Sequence, residues 1–187
     1  MNDPLTDAEL IARVAAGDRG ALGELASRYE SALLGLAFAL TGRRRELALD
    51  AVQDCWLRVL RSAGTYRGSS SVKTWLWRIV INRCHDLRGS AAERRSRSLS
   101  HDPASGSASE HSDGLEASER LGQLTNAVDA LSPEKRLVVL LCYQHGMTIE
   151  TVADVLDVPA GTVKSRLHAA LTTLRARLSS DRRPVLP

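Results

Sequence analysis

The hydrophobic pattern of this 187-residue chain is helical towards both ends and breaks once, in the middle. From Ser90 to about Ser118, and above all in "SRSLSHDPASGSASEHSDG", serine, glycine and proline replace large apolar residues. Such a segment buries too little surface to offset the entropy of ordering it, so it reads as a flexible linker. On either side, apolar residues recur every three to four positions and nowhere alternate as in a strand. The interruption therefore restricts the chain to an all-α architecture of two small helical domains. They span residues 1–92 and 119–180, with a flexible linker over 93–118 and a tail over 181–187.

Within the first block the helix signals are local. Thr6 and Glu9 form a capping box before "LIARVAA", which Gly17-Asp18 closes. Leu22, Leu25, Tyr29, Leu33, Ala37 and Leu40 space a second helix that stops at Gly42. A third covers about Leu47 to Ser62. After the loop "AGTYRGSSS" a fourth runs from Val72 to about Arg88. In the second block, periodicity returns at Leu121, Leu124, Val128 and Leu131. Ser132-Pro133-Glu134 then supplies an N-cap, a proline at N1 and an acid in the first turn. Gly146 ends that helix, and Thr148 caps the short "IETVADVL".

The second block closes as helix, tight turn, helix. Asp157 occupies the turn where a positive φ is wanted, which Asp tolerates better than most residues. Val152, Ala153 and Leu156 are expected to face Val163, Leu167, Leu171 and Leu174. At 100° per residue, Thr162, Ser165, Ala169 and Thr172 then lie opposite, flanked by Lys164 and Arg166. A face small in its centre and cationic at its edges lets a helix approach a groove floor while Lys and Arg reach phosphates or base edges. The backbone N–H groups of Gly161, Thr162 and Val163 are also expected to be open to a phosphate. This reads as a helix-turn-helix entering a major groove. The plainer reading is a helical hairpin with a solvated basic face.

Two further faces carry chemistry in the first block. In "ELALDAVQDCWLRVLR", Ala48, Val52, Trp56 and Val59 make a core stripe, while Asp50, Gln53, Asp54, Leu57 and Arg61 lie opposite. A leucine among carboxylates suits a protein-binding anchor. The same pattern also arises on a solvated face with one stray leucine. In the fourth helix, Leu76, Ile79, Val80 and Leu87 point inward, and Trp75, Arg78, Asn82 and Asp86 share another side. Trp77 is read as core. From Trp75 to Arg97 there are six arginines against two acids. Aromatic, arginine and asparagine side chains beside a flexible loop suit single-stranded DNA, through stacking and phosphate contact.

These stretches together resemble the extracytoplasmic-function sigma factors, the two-domain type of the bacterial sigma-70 family. "ALDAVQDCWLRVLR" is similar to the second conserved region and "TWLWRIVINRCHDLR" to its promoter-melting helix. "LSPEKRLVVLLCYQHGMTIETVADVLDVPAGTVKSRLHAAL" is similar to the fourth region. The resemblance implies a factor that binds RNA polymerase core, recognises the −35 and −10 promoter elements and helps melt DNA. It implies that Asp50, Gln53, Asp54 and Leu57 dock on the polymerase's largest subunit. Tyr66, Arg67, Lys73, Trp75, Arg78 and Asn82 would serve the −10 element, where an extruded base exposes its pairing edge. Pro159, Thr162, Lys164, Ser165, Arg166 and His168 would contact the −35 element. Asp102 and Glu110 in the linker would approach the polymerase active site. An anti-sigma protein is the further partner the family implies. The sequence departs from the family pattern at Leu49 (usually glutamate), Trp56 (usually phenylalanine), Asp157 (usually glycine) and Ala169 (frequently arginine).

Composition bounds the alternatives. Lys and Arg exceed Asp and Glu by 25 to 22, a net charge of +3, so basicity alone does not make this a nucleic-acid binder. Three dispersed cysteines, Cys55, Cys84 and Cys142, are not a disulfide framework and fit a reducing cytosol. The N-terminus lacks a signal-peptide pattern, and no apolar run approaches a membrane span. The expectation is a cytoplasmic protein without membrane insertion. No catalytic constellation or phosphate-binding glycine loop appears, so no enzyme, cofactor or metal is expected. The pairs Cys142/His145 and Cys84/His85 are read as ordinary core and helix-end residues rather than a zinc site. Two other functions remain open on the residues alone: a stand-alone helix-turn-helix regulator, and a protein-interaction module that does not bind DNA.

Overall fold

A computed structural model describes residues 4–97 and 115–180, and the chain divides into two compact units, Met1–Ala104 and Ser105–Pro187. Among the described residues there is no strand. The segment holding Asp102 and Glu110 and the 181–187 tail lie outside them.

The first unit holds α1 (Asp7–Ala15), α2 (Arg19–Leu40), α3 (Arg45–Ser62), a 3-10 turn (Ala63–Thr65) and α4 (Val72–Arg97). The capping box forms as the sequence predicts: Thr6 Oγ1 accepts from the Glu9 amide, and the Thr6 amide donates to Glu9 Oε2 at 2.7 Å. The Thr6 amide and the Thr6 hydroxyl, both donating to Glu9 Oε2, hold the Glu9 carboxyl below its usual range. Asp18 caps α2 through the amides of Gly20 and Ala21. Two successive residues with positive φ, Gly42 (71°) and Arg43 (62°), reverse the chain between α2 and α3. Arg43 is the unusual one, and its amide donates to the Phe38 carbonyl at 2.8 Å. Helices α2, α3 and α4 pack pairwise, and α1 lies on α2 and against the 3-10 turn. Leu10, Leu25, Leu33, Leu36, Val59, Leu76, Trp77 and Val80 are fully enclosed.

Three expectations for this unit change. Trp56 is only half-buried, and Ala51 and Cys55 complete the inward stripe of α3 in its place. Leu87 is likewise half-buried. Helix α4 continues past Arg88 to Arg97, because "SAAERRSR" is rich in Ala, Glu and Arg, which favour helix despite its serines.

The second unit holds α5 (Leu115–Asp129), α6 (Pro133–Val139), α7 (Ile149–Leu156) and α8 (Ala160–Ser180). Helix α6 loosens into a π-helical turn over Leu140–Gln144, where the His145 amide reaches back five residues to the Leu140 carbonyl. Ser132 is the N-cap residue of α6, but its side chain makes no capping bond; Pro133 at N1 and the Arg136 amide on the Ser132 carbonyl define that start. Arg136 also donates to the Asp129 and Leu131 carbonyls, tying the end of α5 to α6. Ala127, Leu131, Val139, Ala170 and Leu174 form one core cluster, flanked by the half-buried Leu167 and Leu178. Helix α8 packs on α5, α6 and α7 and so carries the unit.

Candidate functional site

The turn between α7 and α8 is built as the sequence requires. The Thr148 hydroxyl accepts from the Thr151 amide at 3.1 Å and starts α7. Asp157 takes the left-handed conformation (φ 53°, ψ 49°), and the Val158 amide donates to the Ala153 carbonyl at 3.1 Å, closing a Schellman-type end. Pro159 then opens α8. Val152, Ala153, Val155 and Val163 are buried, and Ala170 and Leu174 are buried in the cluster with Ala127, Leu131 and Val139. Leu156, Leu167 and Leu171, expected in the core between α7 and α8, are half-buried.

This packing leaves Pro159, Lys164, Ser165 and His168 exposed and Thr162 and Arg166 half-buried on α8. Ser165 Oγ donates to the Thr162 carbonyl at 3.0 Å, which leaves its lone pairs to accept from outside. The Thr162 and Val163 amides are not open to a phosphate: both donate to the Pro159 carbonyl, at 2.9 and 3.3 Å. An anion at this helix start would therefore rely on side chains rather than on those two amides.

In the first unit the loop ahead of α4 is folded on itself. Tyr66 Oη donates to the Ser70 carbonyl at 2.5 Å, and its ring lies 5.3 Å from that of Trp75, tilted by 45°. Ser71 caps α4 through the Thr74 amide at 3.0 Å. Lys73 Nζ sits 5.5 Å above the Trp77 ring, a cation–π distance. Trp77 itself is enclosed, as read from the sequence, whereas Trp75 and Arg78 are half-buried and Arg67 and Asn82 exposed. The loop and first turns of α4 thus carry an aromatic pair, Tyr66 and Trp75, with Arg78 and Asn82 on the Trp75 side of the helix and Lys73 over Trp77 on another.

The outer side of α3 is more apolar than one stray leucine. Leu49, Leu57 and Leu60 are 45%, 41% and 48% exposed. They line a cleft of about 300 Å³ whose walls include Leu34, Val52 and Trp56. The Trp56 indole Nε1 is enclosed there without a hydrogen-bond acceptor among the described residues. Asp50 and Gln53 are exposed beside the cleft, but Asp54 is half-buried and accepts from Arg83 Nε of α4 at 2.5 Å. Leu60 was not singled out from sequence, although it follows Leu57 at helical spacing.

The remaining chemistry is inert. Cys55 and Cys84 are buried free thiols, both pushed up to about 12 by burial. Among the described residues no three of His, Cys, Asp or Glu are arranged to hold a metal, and no helix is long and apolar enough to cross a membrane.

Comparison with known proteins matches both units. Residues 25–94 match the family profile "Sigma-70 region 2", and residues 121–174 match "Sigma-70, region 4". The ECF RNA polymerase sigma factor SigM of Mycobacterium tuberculosis (strain ATCC 25618 / H37Rv) is 37% identical over 180 residues, covering 93% of this chain and 83% of its own. The ECF RNA polymerase sigma-E factor of Escherichia coli (strain K12) is 29% identical over 181 residues, covering 91% and 93%. Among solved structures, CnrH in complex with the cytosolic domain of CnrY shares the fold with a TM-score of 0.70 at 24% identity, over 94% of this chain and 98% of that one. The sigma factor RpoE in complex with the anti-sigma factor NepR from Bartonella quintana gives 0.66 at 24% identity, over 86% and 98%.

Proposed function

The chain belongs to the extracytoplasmic-function RNA polymerase sigma factors, and on that premise we propose how its polymerase and promoter contacts are divided among three surfaces. A sigma factor is a non-enzymatic initiation factor, so each surface acts by binding. The outer side of α3, with Asp50, Gln53, Leu57 and the neighbouring Leu49 and Leu60, docks on polymerase core. Asp54 contributes there only by sharing its carboxylate with Arg83 or releasing it. The loop and first turns of α4, through Tyr66, Arg67, Lys73, Trp75, Arg78 and Asn82, hold the −10 strand. The start of α8, through Pro159, Thr162, Lys164, Ser165, Arg166 and His168, reads the −35 element.

The observation that carries this reading is the sorting of side chains on each helix. On α8, Lys164, Ser165 and His168 face solvent while Val163 just before them is fully buried. On α4, Asn82 is exposed while Val80 and Ile81 are buried. Rigid cores thus present the polar residues outward, which is what groove and strand contacts require. Two weak contacts joined by one chain bind as a bivalent unit, since the second becomes effectively intramolecular. The reading sets the protein in the cytoplasm with polymerase. It also includes an anti-sigma partner, supported by likeness in fold to RpoE solved with the anti-sigma factor NepR.

The test is run-off transcription with sigma-free bacterial core polymerase on a genomic promoter library, with transcript 5′ ends sequenced. Discrete starts preceded by two spaced elements, strongly reduced in Arg166→Ala and Trp75→Ala, are the expected result. Starts that persist undiminished in both variants would overturn the residue assignments.

A further inference from the structure

Helix α1 ends at Ala15, and the region 2 match begins only at residue 25, so the family likeness assigns α1 no task. Its contacts nonetheless lead to the −10 surface. The capping box fixes Asp7 at the first position of α1. Asp7 Oδ1 accepts from Arg28 Nη1 at 2.8 Å, and Asp7 Oδ2 accepts from the Tyr29 hydroxyl. Arg28 Nη2 donates to the Leu5 carbonyl at 2.7 Å, which ties the chain ahead of α1 to α2 as well. The Tyr29 ring then meets Trp77 edge-to-face, with centroids 5.8 Å apart and planes at 85°. Over that same indole sits Lys73 Nζ, in the first turn of α4.

A second route reaches the same loop. Helix α1 packs on the 3-10 turn Ala63–Thr65, from which Tyr66 follows directly. Burial and the negative charge of Asp7 raise the Tyr66 phenol, so the carboxylate acts electrostatically on the loop as well as through α2.

We propose that Asp7 and Tyr29 are positioning residues for −10 recognition, the path Asp7–Tyr29–Trp77–Lys73 fixing the start of α4 and the loop before it. A lysine stem has rotamer entropy to lose, so a site that already holds it over an indole presents the cation to a strand at less cost. The phenol–carboxylate bond sets the Tyr29 ring, the Tyr29 edge sets the indole, and the indole sets Lys73. This inference rests on the reading that the 65–73 loop, Lys73 and Trp75 serve the −10 element.

The test uses the full chain with sigma-free bacterial core and two templates. One is the strongest promoter mapped by 5′-end sequencing of its run-off transcripts; the other is a copy with the −10 element replaced. The readout is the ratio of initiation on the two, with core binding and thermal unfolding measured in parallel. A merely destabilised protein lowers both rates together and leaves their ratio alone. Asp7→Ala and Tyr29→Phe should each reduce the ratio roughly fivefold, the scale of one ordinary intramolecular hydrogen bond, with core affinity unchanged. Asp7→Asn, which still accepts from the phenol, should restore most of it. If Asp7→Ala does not fold, Tyr29→Phe decides, since it keeps the ring against Trp77. A full ratio in Tyr29→Phe, with Lys73→Ala and Trp75→Ala both defective, overturns the positioning role and leaves the −10 reading standing. A full ratio in Lys73→Ala and Trp75→Ala overturns the −10 reading and this inference with it.

Discussion

The leucines on α3 offer the sharpest quantitative test. Leu49, Leu57 and Leu60 keep 41–48% of their surface in solvent and rim one cleft. Full burial of a leucine is worth about 1.5–3 kcal/mol, so covering the remainder yields roughly 1 kcal/mol for each side chain. Alanine retains the Cβ, and a docking helix does not cover every methyl. Replacing all three with alanine should therefore cost roughly 2 kcal/mol of core affinity, about a thirtyfold rise in Kd. Since the lost contacts are apolar, the loss should change little between low and high salt, whereas Asp50→Ala should give a loss that salt erases. Leu49 matters most in this comparison, because the family usually carries a charge there. Stability should also fall, because the fold already covers more than half of each side chain, so affinities are compared at a temperature where every variant remains folded. Fluorescence anisotropy of labelled protein titrated with core polymerase at two salt concentrations measures the affinities, and thermal unfolding supplies the control. An unchanged Kd in the triple variant refutes the docking argument. A Kd that weakens only where the triple variant is partly unfolded would assign these leucines to folding instead.

Three other outcomes follow from the geometry. Asp157→Val should destabilise the second unit by about 1–2 kcal/mol, because a β-branched residue resists the left-handed turn, whereas Asp157→Gly should leave it equal or more stable; chemical denaturation distinguishes them. Cys55 and Cys84 rise from an ordinary 9.0 to about 12 by burial, so the unfolded chain loses those protons first as pH rises. Stability of the first unit should fall between pH 9 and 12, and Cys55→Ser/Cys84→Ser should flatten that fall in pH-dependent unfolding curves. Arg166→Ala should lower initiation from promoters that need a −35 element by roughly tenfold, the scale of one lost base or phosphate contact. In transcription assays it should have little effect on templates that lack one.

What the sequence disclosed and what it withheld divide along the range of the interaction. Thr6 with Glu9, Asp157 in its turn and Thr148 before α7 act within three or four residues, and each was legible because local chemistry alone selects it. Trp56 was misjudged because 100° per residue leaves neighbouring positions on the same shoulder of a helix. Whether residue 55 or residue 56 enters the core is decided by the space α4 leaves, where the smaller Cys55 reaches the Leu76 carbonyl at 3.8 Å. The π-helical turn over Leu140–Gln144 was hidden for a related reason. Apolar spacing cannot distinguish a bond that reaches back four residues from one that reaches back five when Leu140, Leu141 and Met147 are all buried. The amides of Thr162 and Val163 were counted as open because the first amides of a helix lack intrahelical partners; the Pro159 carbonyl, which takes both, was the missing half. Least visible were the contacts between helices made by charged surface residues. Asp7 meets Arg28 and Tyr29 more than twenty positions away, a pairing with no period and no composition signal. On the proposed −10 assignment, those contacts bring in a segment that the sequence pattern presents only as a well-capped helix.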